Sequence, residues 1–523
     1  MKKGFLLGTL AALVVVLVFS AAGCGAGQST PQVAVYANTN QVVVFWDPSD
    51  SFSNEIIVLN NIYETLLRYD SVQKKVVPVL ATGYNVSSDG LTWTFDIRKG
   101  VKFHDGNELT ADAVKYSFER TIQRGKGASF IWSPVKEIKV LDPYKLEIDL
   151  QYPAPLDLIV ASGYGAFVFD PAAVQKNGED WFSQGHEAGT GPYELESFQG
   201  TQQVVLKKFD DYWGGWKGSH FDKVVFQQVS EASTKVQMLQ SGQADFVDAL
   251  PFEQLDALKN NPNIKIVTTP AYQNLLGFFN TQKAPLNNKL VRQAISYAVP
   301  YEQIVKDVMK GYATQARGPI PAGLWGHDDN LFQYTYNLDK AKQLLQQAGY
   351  GNGGFKLVLT YASGDEFERR VAELMKASLA ELNINLDIRG MVWEPQWDLA
   401  KSPNPKDRQD IFLMYWWPTY ADPYDFMVNL FHSESSINFN LGYYYNPAYD
   451  NLIDDAHSVS GIDQEKAIQE YGQAQQMLVE DAPAIFFYDQ QYVRAIRSNF
   501  QGYVDNPAYP HVVFFYDTYR QGQ

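Results

Sequence analysis

The 523-residue chain holds a single cysteine, which excludes an internal disulfide and any cysteine-built metal cluster, since each needs at least two thiols. Histidine is scarce: the seven stand at positions 104, 186, 220, 327, 432, 457 and 511. No two take helical metal-binding spacing and H-E-x-x-H is missing, so neither a metal enzyme nor a metal cofactor is expected. Positive charge is short as well. Against 59 Asp+Glu stand 43 Lys+Arg, a formal charge of −16, and no dense basic run offsets it locally, which argues against a nucleic-acid partner. Nucleophile motifs are lacking too. There is no G-x-S-x-G; Ser162-Gly163-Tyr164-Gly165 departs from it, and Ser71-Val72-Gln73-Lys74 fits S-x-x-K without a companion S-D-N or K-T-G. Carboxylates are plentiful, but spacing in sequence cannot pair two of them across a glycosidic bond. The chain is therefore expected not to be an enzyme and to need no cofactor.

What is present is apolar and aromatic material: 45% hydrophobic and 14% aromatic residues with 20% charged, enough for large buried cores and too apolar for global disorder. At about 150 residues per domain the length suggests three to four domains or lobes. The longest apolar run, Phe5 to Phe19, follows Lys2 and Lys3 and breaks into Ser20, Ala21, Ala22 and Gly23 before Cys24. At ~1.5 Å per residue it falls short of a ~30 Å hydrocarbon core, and its three parts are those of a secretory signal peptide, assigned to 1–23. Ala21-Ala22-Gly23-Cys24 resembles a bacterial lipobox, which would make Cys24 a lipidated N-terminus and 24–32 a flexible tether at a membrane surface.

Beyond the tether, Val33 to Tyr36 predicts a strand, and Ile56, Leu59, Ile62, Tyr63 and Leu66 predict a helix from Asn54 to Leu67 with Asn54 as its cap. Leu91, Trp93, Phe95 and Ile97 alternate with polar residues, as does Lys145 to Leu150, so 68–186 reads as a strand-rich subdomain with one or two helices. From Gly189 onward strands alternate with helices, as in βαβ units. Strands are expected at 204–209, 224–229, 244–247, 355–360, 384–388 and 410–416. Helices are expected at 234–240, 289–298, 338–348 and 367–382. Gly351-Asn352-Gly353-Gly354 follows a helix and precedes a strand, the reverse of a phosphate loop.

One feature concentrates chemistry. Trp393 and Trp397 are read as flanking a polar turn, and the strand through Tyr415 runs into Trp416-Trp417-Pro418-Thr419-Tyr420-Ala421-Asp422-Pro423. Aromatic residues bury ~150–250 Å² each and usually build core. A cluster at a strand's C-terminal end is instead placed where open α/β sheets bind ligands.

The run Leu80-Ala81-Thr82, Asp89-Gly90-Leu91-Thr92-Trp93-Thr94-Phe95-Asp96-Ile97-Arg98-Lys99-Gly100-Val101-Lys102-Phe103-His104-Asp105-Gly106 and Leu109-Thr110-Ala111-Asp112-Ala113-Val114 resembles the signature of extracellular solute-binding proteins of family 5, the oligopeptide, dipeptide and nickel receptors of ABC importers. Gly189-Thr190-Gly191-Pro192-Tyr193, Gly242-Gln243-Ala244-Asp245, Phe279-Asn280, Val291-Arg292-Gln293-Ala294-Ile295 and Asp481-Ala482-Pro483-Ala484-Ile485-Phe486 continue the resemblance in order along the chain. It implies a two-lobe periplasmic-binding-protein-like α/β fold with a hinge and an extra subdomain inserted in the first lobe. Lobe I would comprise 33–67, 187–279 and 489–523, the insertion 68–186, and lobe II 280–488, with crossings near 280 and 488. It further implies an extracytoplasmic monomer that hands an oligopeptide or similar elongated polar solute to ABC permease subunits.

By the same resemblance Trp397, Trp416 and Trp417 match pocket-lining positions, with Tyr420 beside them, and Asn38 to Asn40 match a backbone stretch that pairs with an extended peptide. Thr419 stands where peptide receptors carry an Asp for the ligand's α-ammonium, leaving Asp422 as a partial substitute. Tyr361-Ala362-Ser363-Gly364-Asp365 lacks the Arg that dipeptide receptors place after this strand, and Arg369 and Arg370 are read as structural. Stacking and backbone hydrogen bonds are therefore expected to dominate, with little salt dependence. An oligosaccharide receptor of the same fold is the alternative, since sugar rings also stack on Trp and Tyr, and a surface-anchored hydrolase ranks below it.

Overall fold

The computed structural model describes residues 31–39, 45–248, 250–435 and 437–522. The leader, Cys24, most of the tether and Asn40 lie outside the described residues. Two long strands, Ile264–Phe279 and Ala484–Arg497, run antiparallel to each other through the middle of an 11-stranded mixed sheet. On one side follow Ile411–Trp416, Lys356–Ala362 and Asn385–Met391; on the other Phe246–Val247, Val33–Asn38, Lys223–Gln228, Gln203–Lys208 and Tyr193–Phe198. The ladder between the two long strands shifts register between Pro270 and Asn274.

Strand–helix alternation predicts parallel neighbours, because a helical crossover returns the chain to the same end of the sheet. This holds where such a helix exists. Lys356–Ala362 is parallel to Asn385–Met391 through the helix Glu366–Ala380, and Val33–Asn38 is parallel to both its partners. It does not hold for Gln203–Lys208 and Lys223–Gln228, which pair antiparallel. The segment between them contains no helix, so the chain simply turns back.

A separate four-stranded antiparallel sheet, Ala81–Val86, Thr92–Ile97, Lys145–Leu150 and Val135–Asp142, carries the alternation seen in the sequence. Trp93, Phe95 and Ile97 are buried and Thr92, Thr94 and Asp96 half-buried, one face being turned toward the helix Ala111–Arg124. That helix ends on Gly125 at φ 60°, a left-handed cap where a side chain would be strained.

The expected helix from Asn54 is shorter than its apolar spacing suggests. It spans Ile56–Ile62, and Tyr63 is already extended. The carboxylate of Glu55, not Asn54, accepts the Phe52 and Ser53 amides. At the other end Glu64 pulls the chain out of the helix: its buried carboxylate accepts from Thr190 Oγ1, Tyr212 OH and Trp213 Nε1 at 2.8–2.9 Å. Three tertiary bonds to a buried carboxylate outweigh one more turn of local propensity.

Several of the segments quoted above as a signature are joints between distant parts of the chain. A Cβ on Gly189 would lie 2.0 Å from the Ile62 carbonyl oxygen, so no other residue fits there. His104 meets Glu187 at 2.8 Å through Nδ1 and the Gly191 carbonyl at 2.9 Å through Nε2. Burial works against charge on both groups. Their mutual attraction outweighs it, raising the His104 pKa above and holding Glu187 below the ordinary value. Arg292 likewise donates to the carbonyls of Asp481, Ala482 and Leu286, joining two more of those segments.

Candidate functional site

The strand Ile411–Trp416 is buried from Ile411 through Met414 and half-buried at Tyr415 and Trp416. Its last ladder pair sets Trp416 opposite Asn274 of a central strand, which fixes the indole's backbone. Beyond it opens a pocket of about 370 Å³. Trp397, Trp416, Trp417 and Thr419, all expected at the site, line it together.

Trp393 and Trp397 do not flank a turn; they lie on one helix, Trp393–Ala400, capped by the extended residue Val392. Pro395 is tolerated because in the first turn of a helix its missing N–H would have had no partner anyway. Gln396 and Ala400 face the core. One turn apart, the two indoles sit 5.4 Å from each other and 6.1 and 6.2 Å from Phe412. The aromatic contacts then continue to residues distant in the chain. Phe439 lies 6.0 Å from Trp397, 5.1 Å from Trp416 and 6.4 Å from Phe130. Phe130 meets Phe52 edge to face at 5.8 Å, and Phe52 meets Tyr164 at 5.7 Å.

Phe439 is aimed by its neighbours. Glu434 accepts the amides of Asn438 and Asn440, while Asn440 bonds both ways with Tyr444 and donates to the His432 carbonyl. Phe52, Phe130, Phe439, Met414 and Tyr415 were not among the residues expected at the site. Nothing in their local sequence marks them, because three come from loops or single turns brought in by the fold.

Thr419 is held through its backbone. Its amide donates to Asp425 at 2.7 Å and its carbonyl accepts from Ser162 Oγ at 2.8 Å, whereas its own hydroxyl reaches only 3.4 Å from Asp425. Ser162, part of the near-match to a nucleophile motif, is thus buried in a bond that ties its loop to the pocket wall. Burial pushes the Asp425 carboxyl up to about 7, against the bonds from Thr419 and Asn429 that lower it.

The other expected residues lie elsewhere. Tyr420 and Asp422 are buried behind the wall and do not line the pocket. Asp422 accepts the Tyr424 amide; burial first, then Asp425 and Asp157 nearby, push it up to about 8. A carboxyl so held is largely protonated at neutral pH and offers little charge to an ammonium group. Tyr361 is half-buried beside Gly390, and Asn38 is buried at the end of the first strand with its carbonyl accepting the Val229 amide. Neither lines this pocket.

Charge at the site differs from expectation. Glu394 and Asp398, one turn apart on the tryptophan-bearing helix, line the pocket, and among the described residues no Lys, Arg or His does. A period of 3.6 read across 393–400 pairs Trp with Trp and acid with acid, a signal hidden by reading the segment between the two Trp as a polar turn. Among the described residues no three His, Cys, Asp or Glu side chains group as metal ligands.

The profile of bacterial extracellular solute-binding proteins, family 5 Middle, matches residues 75–438. A probable D,D-dipeptide-binding periplasmic protein of Escherichia coli K12 is 30% identical over 463 residues, covering 87% of this chain and 88% of the relative. A glutathione-binding protein of Salmonella choleraesuis is 29% identical over 463 residues, covering 88% of each. Among solved structures, the ABC transporter-associated periplasmic binding protein DppA of Helicobacter pylori, in complex with the peptide STSA, superposes with a TM-score of 0.78 at 26% identity, over 94% of this chain and 98% of that one. The oligopeptide-binding protein AppA of Bacillus subtilis, in complex with a nonapeptide, does so with 0.75 at 25% identity, over 94% and 100%. Two α/β lobes with a hinge and an inserted subdomain are the common architecture. With a profile match over more than half its length and relatives similar along most of theirs, this chain belongs to the bacterial extracellular solute-binding proteins of family 5.

Proposed function

We propose that the protein is an extracytoplasmic, monomeric receptor that closes over an oligopeptide or similarly elongated polar solute and presents it to the permease subunits of an ABC importer. The observation that carries this reading is the aromatic pocket whose rings come from opposite sides of the cleft, Trp397, Trp416 and Phe439 against Phe52 and Phe130. A site divided in this way is complete only when the lobes meet, so a ligand favours the closed form by the contacts it makes to both. The D,D-dipeptide, glutathione, tetrapeptide and nonapeptide named for the relatives point to peptides rather than sugars. We place lobe I at 33–67, 187–279 and 489–523, its insertion at 68–186 and lobe II at 280–488. The crossings near 280 and 488 lie on the two long strands, within a few residues of the place where these change register, between Pro270 and Asn274 and at the facing Asp489 to Gln491.

Ligand recovered from the natively purified protein and identified by mass spectrometry tests the reading. Added back at a hundredfold excess over Kd, it should stabilise the fold by about 2.7 kcal/mol, seen as a raised melting temperature, and come back intact. Recovery of a sugar would replace the peptide, and turnover of the bound molecule would favour a hydrolase.

Signal cleavage and lipidation at Cys24 complete the proposal, tethering the receptor beside its permease. Cys24→Ala should move the protein out of the membrane fraction with ligand affinity unaltered. A mature N-terminus found well beyond Cys24 would remove the anchor.

A further inference from the structure

The pocket combines two features that its aromatic residues alone do not explain. Trp393 and Trp417 leave 45% and 41% of their surface exposed, and both indoles line the same pocket, so the open area is gathered in one place where a ligand could cover it. Glu394 and Asp398, each next to a Trp on the same helix, line the pocket too, both exposed, and neither is taken up by an ion pair among the described residues. A neutral apolar side chain would fill the pocket but would leave these two charges close to an apolar contact, where they lose hydration for nothing in return. A cation gains from both, since an indole face attracts positive charge through its quadrupole and a carboxylate does so directly. The same helix already shows the preference: the Lys401 ammonium sits 4.9 Å from the centre of the Trp397 ring.

Resting on the receptor reading above, we infer that this pocket selects a basic side chain of the bound peptide, a lysine ammonium or arginine guanidinium laid on the indoles and faced by Glu394 and Asp398. An acidic side chain is disfavoured, because two carboxylates line the pocket and Lys401, at the Trp397 ring, is not among its lining residues.

The test uses the full mature protein and acetylated, amidated tetrapeptides of alanine in which one residue is lysine, arginine, or their neutral counterparts norleucine and citrulline. Calorimetric titration should show the charged peptide binding about tenfold more tightly than its neutral counterpart, with the ratio shrinking as salt rises. In the Glu394→Gln/Asp398→Asn double variant the ratio should fall toward one; both side chains are exposed, so the variant is expected to fold, which circular dichroism checks. Equal binding of charged and neutral peptides, or a ratio that survives the double substitution, overturns the inference. If none of the peptides binds, the peptide reading fails separately. The cation preference is then read from tryptophan fluorescence with arginine amide against citrulline amide, equal quenching by the two overturning it.

Discussion

Replacing Trp416 by alanine is expected to weaken ligand binding by about 2–4 kcal/mol, the range for an aromatic anchor in the centre of a desolvated contact. The indole is set in place before any ligand arrives: its backbone ends a ladder against Asn274, and its ring meets Phe439 edge to face at 5.1 Å. Little ordering is then left for the ligand to impose, and the contact shows nearly in full as affinity. Thr419→Ala is the matched control within the same pocket. Its anchoring bonds are made by backbone atoms and its hydroxyl lies 3.4 Å from the nearest carboxylate oxygen, so its loss should change binding little. Titration calorimetry with a peptide bound by the unmodified protein measures both. Unchanged affinity in Trp416→Ala would place the ligand somewhere other than this pocket.

The largest effect on stability is expected from Asp47→Ala. Arg120 donates from Nη1 and Nη2 to the two Asp47 carboxylate oxygens, each at 2.7 Å, and from Nη1 to Ser49 Oγ at 2.8 Å. The two side chains are only 4% and 2% exposed. Removing the acid leaves a guanidinium among Phe169 and Phe182 with Ser49 Oγ and Glu179, whose carboxylate is 62% exposed, to answer its charge. An uncompensated buried charge of this kind costs about 3–5 kcal/mol. The same pair joins the helix Ala111–Arg124 to the segment that leads to Phe52, so ligand affinity should fall along with stability. Denaturant unfolding at constant slope gives the shift. A loss below about 1 kcal/mol would mean that water reaches the guanidinium once Asp47 is gone.

Elements with local signals were legible in the sequence. The helix Leu338–Gln347 begins where Asn337 caps the Lys340 amide, and Glu366–Ala380 where Asp365 caps that of Glu368. In both, the stretch of matching period and the cap agree, and a helix's hydrogen bonds lie within a few residues of their donors. Failures occurred where a tertiary contact overrode the local signal. Glu64 ends its helix early because its three partners lie at 190, 212 and 213. The segment from Trp393 to Trp397, read as a polar turn, is helical, with Pro395 accommodated in the first turn.

The sequence by itself determined the two-lobed fold, the family and a third of the pocket's lining. Alternation and helical period are set by which face of each element must leave water, and the signature segments are joints that tolerate few other residues, as at Gly189 under the Ile62 carbonyl. The indoles at 397, 416 and 417 announced themselves by clustering at a strand end. Only the tertiary structure decided what faces them. Phe439 touches Trp397 and Trp416 and hands the aromatic contacts on to Phe130 and Phe52, which lie hundreds of residues away from the indoles in the chain, and Asp422 turns inward where its charge is suppressed. The acids Glu394 and Asp398 became part of the site because a helix, not a turn, carries them, one turn apart beside the indoles. No local pattern encodes a contact between segments so far apart in the chain; the folded structure alone brings those side chains within reach.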